Sequence, residues 1–143
     1  MKPIIILEDK KDHISRYLSD IALSIPEWAQ DFVSANKISL VSSRYSGEVT
    51  NPARTLVIPY GFSAVQPERA KGVGQVITFG QSPKATVTFS SISYPYCLVS
   101  VTREIAAQDG SHLEPQEFPV KLVRDLDTTL ALCAARLALG SNY

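Results

Sequence analysis

The sequence predicts a single small α/β domain over residues 1–143: a short, mostly parallel sheet with helices, an antiparallel three-strand extension and a C-terminal helix. Three observations predict it. Short β-branched runs recur through residues 1–80, each flanked by helical spacing or turn residues. From residue 81 the texture changes to strict alternation, as in antiparallel strands with one wet face. The chain then closes on an alanine-rich segment that begins with aspartates and ends in glycine. With 143 residues it should bury about two-thirds of its unfolded surface, so it needs no disulfide or metal staple.

Each element follows from its residues. Residues 3–8 hold Ile4-Ile5-Ile6-Leu7 and read as a buried strand. Asp9 or Asp12 can cap the helix that should follow, because Ile14, Tyr17, Leu18, Ile21, Ala22 and Ile25 recur at helical spacing. Pro26 ends it or opens a new turn, and residues 27–35 read as a second short helix with Trp28, Phe32 and Val33 inward. Residues 38–42 are a second strand and 43–54 a polar loop. Residues 55–58 are a third strand, broken by Pro59-Tyr60-Gly61. Residues 63–70 suit a helical turn or two, and 75–79 a fourth strand. Three alternating strands follow over 85–92, 97–105 and 118–123, with Asp109-Gly110 as a hairpin signal. Residues 125–139 form the last helix. Asp125 or Asp127 serves its start and Gly140 its end, and Ala131, Ala134, Ala135 and Ala138 allow close packing on a sheet.

Composition excludes several classes. Lys plus Arg and Asp plus Glu both number 14, and the two halves of the chain are nearly balanced. With no basic stripe, no nucleic-acid or anionic-membrane partner is expected. The longest apolar run near the N-terminus is only Ile4 to Leu7, too short for a signal peptide or a membrane span, so a cytoplasmic protein is expected. Cys97 and Cys133 have no C-x-x-C context and read as two reduced, buried thiols.

The order of elements resembles the second half of the central domain of Mur ligases, the ADP-forming amide ligases of peptidoglycan synthesis. Three stretches carry the likeness: IIILEDKKDHISRY over residues 4–17, TLVIPYG over 55–61 with VITFG over 76–80 and ATVT over 85–88, and DTTLALCAARLALG over 127–140. The departures bear on function. The family's phosphate loop G-x-x-G-K-[ST] is absent, and Gly72-Val73-Gly74 lacks the following Lys-Ser/Thr. His13 matches the family's metal-binding histidine, but Trp28 stands where its modified lysine is expected. Pro59-Tyr60-Gly61-Phe62 replaces a nucleotide-contacting turn, and the G-x-H-N-x-x-N signature before the last helix is missing. The resemblance therefore implies a catalytically incomplete pseudoenzyme, whether a partner subunit, a degenerate relative or a cut domain of a longer chain, acting through a protein partner or self-association with no cofactor of its own.

A second expectation rests on the acidic cluster Glu8, Asp9, Asp12 and His13. It lies after the first strand, where ligands bind in α/β folds, and its hard oxygens suit Mg²⁺. A receiver-like, divalent-metal-dependent sensor would use it, although no strand ends in a phosphoacceptor Asp. The competing explanation is a solvated helix start, with Lys10 and Lys11 offsetting the acids. His112 reads as an exposed turn residue, and Ser42, Ser43, Ser46 and Ser63 lack a nucleophile-elbow context. Tyr60 and Tyr94-Pro95-Tyr96 are a candidate aromatic patch, and Arg44, Arg54 and Arg69 are loop cations able to hold phosphate or carboxylate.

Overall fold

The computed structural model describes residues 2–32, 37–65 and 72–140. Among the described residues, ten strands and one α-helix follow in order: β1 (Ile4–Leu7), β2 (Ala22–Ser24), β3 (Ile38–Val41), β4 (Thr55–Pro59), β5 (Gln75–Phe79), β6 (Val87–Ser93), β7 (Tyr96–Val101), β8 (Ile105–Ala106), β9 (His112–Leu113), β10 (Gln116–Lys121) and α1 (Leu126–Leu139). Eight strands form one sheet in the order β10-β7-β6-β5-β4-β3-β1-β2. Neighbours are parallel from β2 through β6, whereas β6, β7 and β10 are antiparallel. The predicted α/β class and the antiparallel extension are both present.

β1 and β3 are buried at every position, as central parallel strands covered on both faces must be. Their side chains alternate between two cores. Ile4, Ile6, Ile38, Leu40, Val57, Ile77 and Phe79 point to α1. Leu7, Val41, Leu56 and Ile58 join Val49 in a smaller cluster, closed by Ile25, Tyr45, Phe62, Val65 and Val73. One face of the sheet is thus covered by a helix and the other by side chains from loops. The joint between the two sheet halves is narrow, since β5 and β6 share the single register pair Phe79 and Val87. There Thr86 N–H donates to Thr78 Oγ1 at 3.0 Å and Thr78 N–H to Thr86 Oγ1 at 3.3 Å.

α1 forms where the residues demand it. Asp125 caps it by accepting from Thr128 N–H at 2.7 Å, and ten of its residues are buried, including all four predicted alanines. Gly140 ends it at φ 96°. Its left-handed conformation is what requires glycine, since a Cβ there would meet only the exposed Asp109 side chain, which can swing aside. The β8–β9 hairpin turns at Asp109-Gly110 as predicted and docks on this helix end, with Gln108 N–H donating to Ala138 C=O at 2.8 Å.

Two predicted helices are corrected. Within residues 14–25 the structure has a 3-10 turn over Ile14–Tyr17 and then β2. Ile14, Leu18 and Ala22 do face the core, but single turns satisfy that spacing. The open edge of β1 takes the rest: Ile4 N–H donates to Ile21 C=O at 3.2 Å, and Ile25 N–H to Ile6 C=O at 3.0 Å. Ser15, Ser19, Asp20 and Ser24 compete for the helical backbone, and Pro26 disfavours a helical Ile25.

The second predicted helix is a 3-10 segment over Glu27–Phe32, and its inward residue is Gln30. Trp28 is 75% exposed and Phe32 82% exposed, the reverse of the prediction. A period of three places Glu27 and Gln30 on one face, whereas the α-helical period brings Trp28 and Phe32 together inward. Val33 and most of residues 63–70 lie outside the described residues, so those expectations are not addressed.

Candidate functional site

In a parallel sheet the carboxyl ends of the strands are where a site is expected. Here that place is a cleft of about 260 Å³ lined by Asp12, Ser43, Arg44, Asp125, Leu126 and Asp127. Of the four residues singled out in the sequence, Asp12 alone lines it. Glu8 is turned onto its own chain: Oε2 accepts from Ile14 N–H at 2.6 Å and Ser15 N–H at 3.3 Å, and Oε1 from Ser15 Oγ at 2.7 Å. It therefore acts as the cap of the 3-10 turn. Asp9 Oδ1 accepts from Lys11 N–H at 2.8 Å, and Asp9 N–H donates to Ser42 Oγ at 3.1 Å. His13 is exposed, with a left-handed backbone at φ 50° and no capping bond from its side chain.

Asp12 is buried and links two strand ends. Its Oδ2 accepts from Arg44 N–H at 3.1 Å, and its Oδ1 lies 3.8 Å from Arg44 Nε. The sequence identified Arg44 as a cation fit for a carboxylate, and the carboxylate it meets is internal. A third element closes the arrangement. Arg124, left-handed at φ 62°, donates through its guanidinium to the carbonyls of Lys11 and Asp12. No sequence signal marks that role, because Arg124 and Asp12 are 112 positions apart. Together Asp12, Arg44 and Arg124 tie the loop after β1 to the loop after β3 and to the start of α1.

The electrostatics follow from this crowding. Desolvation pushes the Asp127 carboxyl above its ordinary 3.8, with Asp125 and Asp12 adding to the rise and Arg44 opposing it. Among the described residues, no group of three or more His, Cys, Asp or Glu is arranged to hold a metal ion. The four-residue cluster of the sequence is thus divided between a cap, a turn, a salt bridge and an exposed imidazole. His112, the other histidine, lies with Nδ1 2.6 Å from Glu104 Oε1 on the exposed β8–β9 hairpin.

Aromatic side chains supply a different kind of surface. Tyr94 and Tyr96, flanking the cis Tyr94–Pro95 bond at the β6–β7 turn, are both exposed, as is Tyr60. Trp28 and Phe32 stack edge to face in solvent, with ring centroids 6.5 Å apart. The segment carrying them is anchored from below by Gln30, which is 1% exposed. Its Nε2 donates to Glu27 C=O and Glu48 C=O, both at 2.9 Å. Its Oε1 accepts from Thr50 N–H at 2.8 Å, and its backbone C=O from Asn51 Nδ2 at 3.0 Å. Every polar group of that buried amide is used, so the aromatic pair is presented from a fixed base.

The fold and this surface define a mixed-sheet α/β domain with a charge-closed strand end and exposed aromatics. No protein-family model, no curated protein and no solved structure matches the chain. The likeness to Mur ligases therefore rests on the three sequence stretches alone. No helix among the described residues is long and apolar enough to cross a membrane.

Proposed function

We propose that this chain is a non-catalytic binding or assembly module of Mur-ligase-like build, which engages a protein partner through Trp28 and Phe32. The observation that supports the reading is that exposed, stacked pair on its Gln30 anchor. Large aromatic side chains are the residues interfaces favour, because they bury much apolar area for few rotatable bonds. A fixed base reduces the entropy lost on docking. Leu23, half-exposed on the edge strand β2, adds apolar surface just upstream. The missing phosphate-loop lysine and the inward engagement of the carboxyl-end charges both fit a module that binds rather than reacts. An ADP-forming amide ligase carrying the missing loop is the partner the resemblance suggests. The free thiols Cys97 and Cys133 suit a reducing, cytoplasmic setting.

The test is affinity purification of the tagged chain from its native extract beside a Trp28→Ala/Phe32→Ala variant, with mass spectrometry of both. The reading expects a stoichiometric partner with the unaltered chain and its loss with the variant. Recovery of the same proteins by both would overturn it.

A further inference from the structure

A second cleft, of about 460 Å³, opens between α1 and the edge strand β10. That volume lies within the range of small-molecule sites, roughly 300–1,000 Å³. Its walls are mostly apolar, built from Pro119, Val120, Val123 and Leu132, with Thr129 and the buried Cys133 also lining it and Tyr17 at its side. Two cations border it: Lys121 from the end of β10 and Arg136 from the last turn of α1. Neither side chain makes an ion pair or a hydrogen bond with any described residue.

Lys121 and Arg136 are the two cations lining this cleft, whereas Arg44 and Arg124 at the carboxyl ends of the strands meet internal oxygen partners. Arg136 is also half-buried, so an anion beside it would be attracted more strongly than in bulk water. A guanidinium fork matches a carboxylate in two parallel hydrogen bonds, and the apolar walls favour a hydrocarbon body. We propose that this cleft binds a small organic monocarboxylate with an aliphatic or aromatic body. Its carboxylate pairs with Arg136 and Lys121, and its apolar part lies against Val123 and Leu132. The site is separate from the Trp28–Phe32 surface and does not depend on it.

The experiment is calorimetric titration of the full chain with sodium decanoate, with decanol and inorganic phosphate in parallel. The expected result is saturable one-to-one binding of decanoate, with decanol weaker by about tenfold or more and no saturable binding of phosphate. Arg136→Gln should weaken decanoate by about tenfold, and Arg136→Lys should recover part of that loss. Lys121→Gln, at an exposed strand position, should also weaken it and decides the matter if Arg136→Gln fails to fold. The proposal is overturned if decanoate shows no saturation, if decanol binds equally well, or if the folded glutamine variants bind as the unaltered chain does.

Discussion

The two charged ends of the molecule are built on opposite plans. At the carboxyl ends of β1 and β3, Glu8, Asp9 and Asp12 accept from backbone N–H groups, and Arg44 and Arg124 are turned onto Asp12 and its neighbouring carbonyl. At the other place, between α1 and β10, Lys121 and Arg136 line a mostly apolar cleft and have no hydrogen-bond or ion-pair partner among the described residues. The acidic cluster is conspicuous in sequence yet consumed by local structure. The cation pair is inconspicuous in sequence yet left open by the fold. A cluster of titratable residues in a sequence thus says less about a site than whether the folded backbone has already claimed their hydrogen-bonding capacity.

The largest effect should come from the anchor beneath the aromatic pair. Gln30→Leu keeps the volume but removes the partner of Thr50 N–H and the side-chain donor to Glu27 C=O, while Glu48 C=O keeps its bond from the Tyr45 hydroxyl. Each buried polar group left alone costs about 1–3 kcal/mol, so a loss of about 3 kcal/mol is expected in urea unfolding. Partner capture should fall with it.

Next comes the clasp. Asp12→Asn keeps an acceptor for Arg44 N–H but removes the charge that faces the Arg44 side chain, which is itself 57% exposed. A loss of about 1 kcal/mol is expected, read as a lower midpoint of unfolding. Mg²⁺ or Mn²⁺ should leave the melting temperature of the unaltered chain unchanged. A saturable rise that Asp12→Asn abolishes would instead restore the metal-dependent sensor built on Glu8, Asp9, Asp12 and His13.

At the open end the stability effects should be smaller still. Lys121→Gln and Arg136→Gln break no pair within the described protein, so each should change stability by no more than about 0.5 kcal/mol. A larger loss for Arg136→Gln would show that its charge serves the C-terminal end of α1 rather than a ligand.

The smallest signal is in pH. The Asp127 carboxyl is raised by desolvation and by Asp125 and Asp12, so the folded state holds that proton more tightly than the unfolded one. Stability from this group therefore increases as pH falls through the raised value toward 3.8. Asp109 has the opposite sign: its bonds from Ser111 lower its value, and its contribution is lost on acidification through that lowered value. Asp127→Asn should remove the first dependence and leave the second, as measured by melting temperature across the acidic range.

Legibility in the sequence followed locality. β1, β3 and β5 were readable as short apolar runs, and α1 as a capped, glycine-terminated segment. The stretch from Ile14 to Ile25 was not, because its spacing fits a helix as well as a turn followed by an edge strand. The unpaired backbone edge of β1 decided between them. An α-helical period places Trp28 and Phe32 inward, whereas the 3-10 period exposes them. The place of the carboxyl-end cleft was readable from Asp12 at the end of the first strand. Its closure was not, since the bonds from Arg44 and Arg124 span 32 and 112 positions.

The exposed aromatic pair carries its own direct probe, since Trp28 is the one tryptophan of the chain. The measurement is acrylamide quenching of Trp28 emission in the free chain and in the complex purified from native extract with a partner that lacks tryptophan or carries a non-fluorescent analogue. The free chain should show a red-shifted, fully quenchable emission, and the complex a blue-shifted, shielded one. Equal quenching in both states would contradict this.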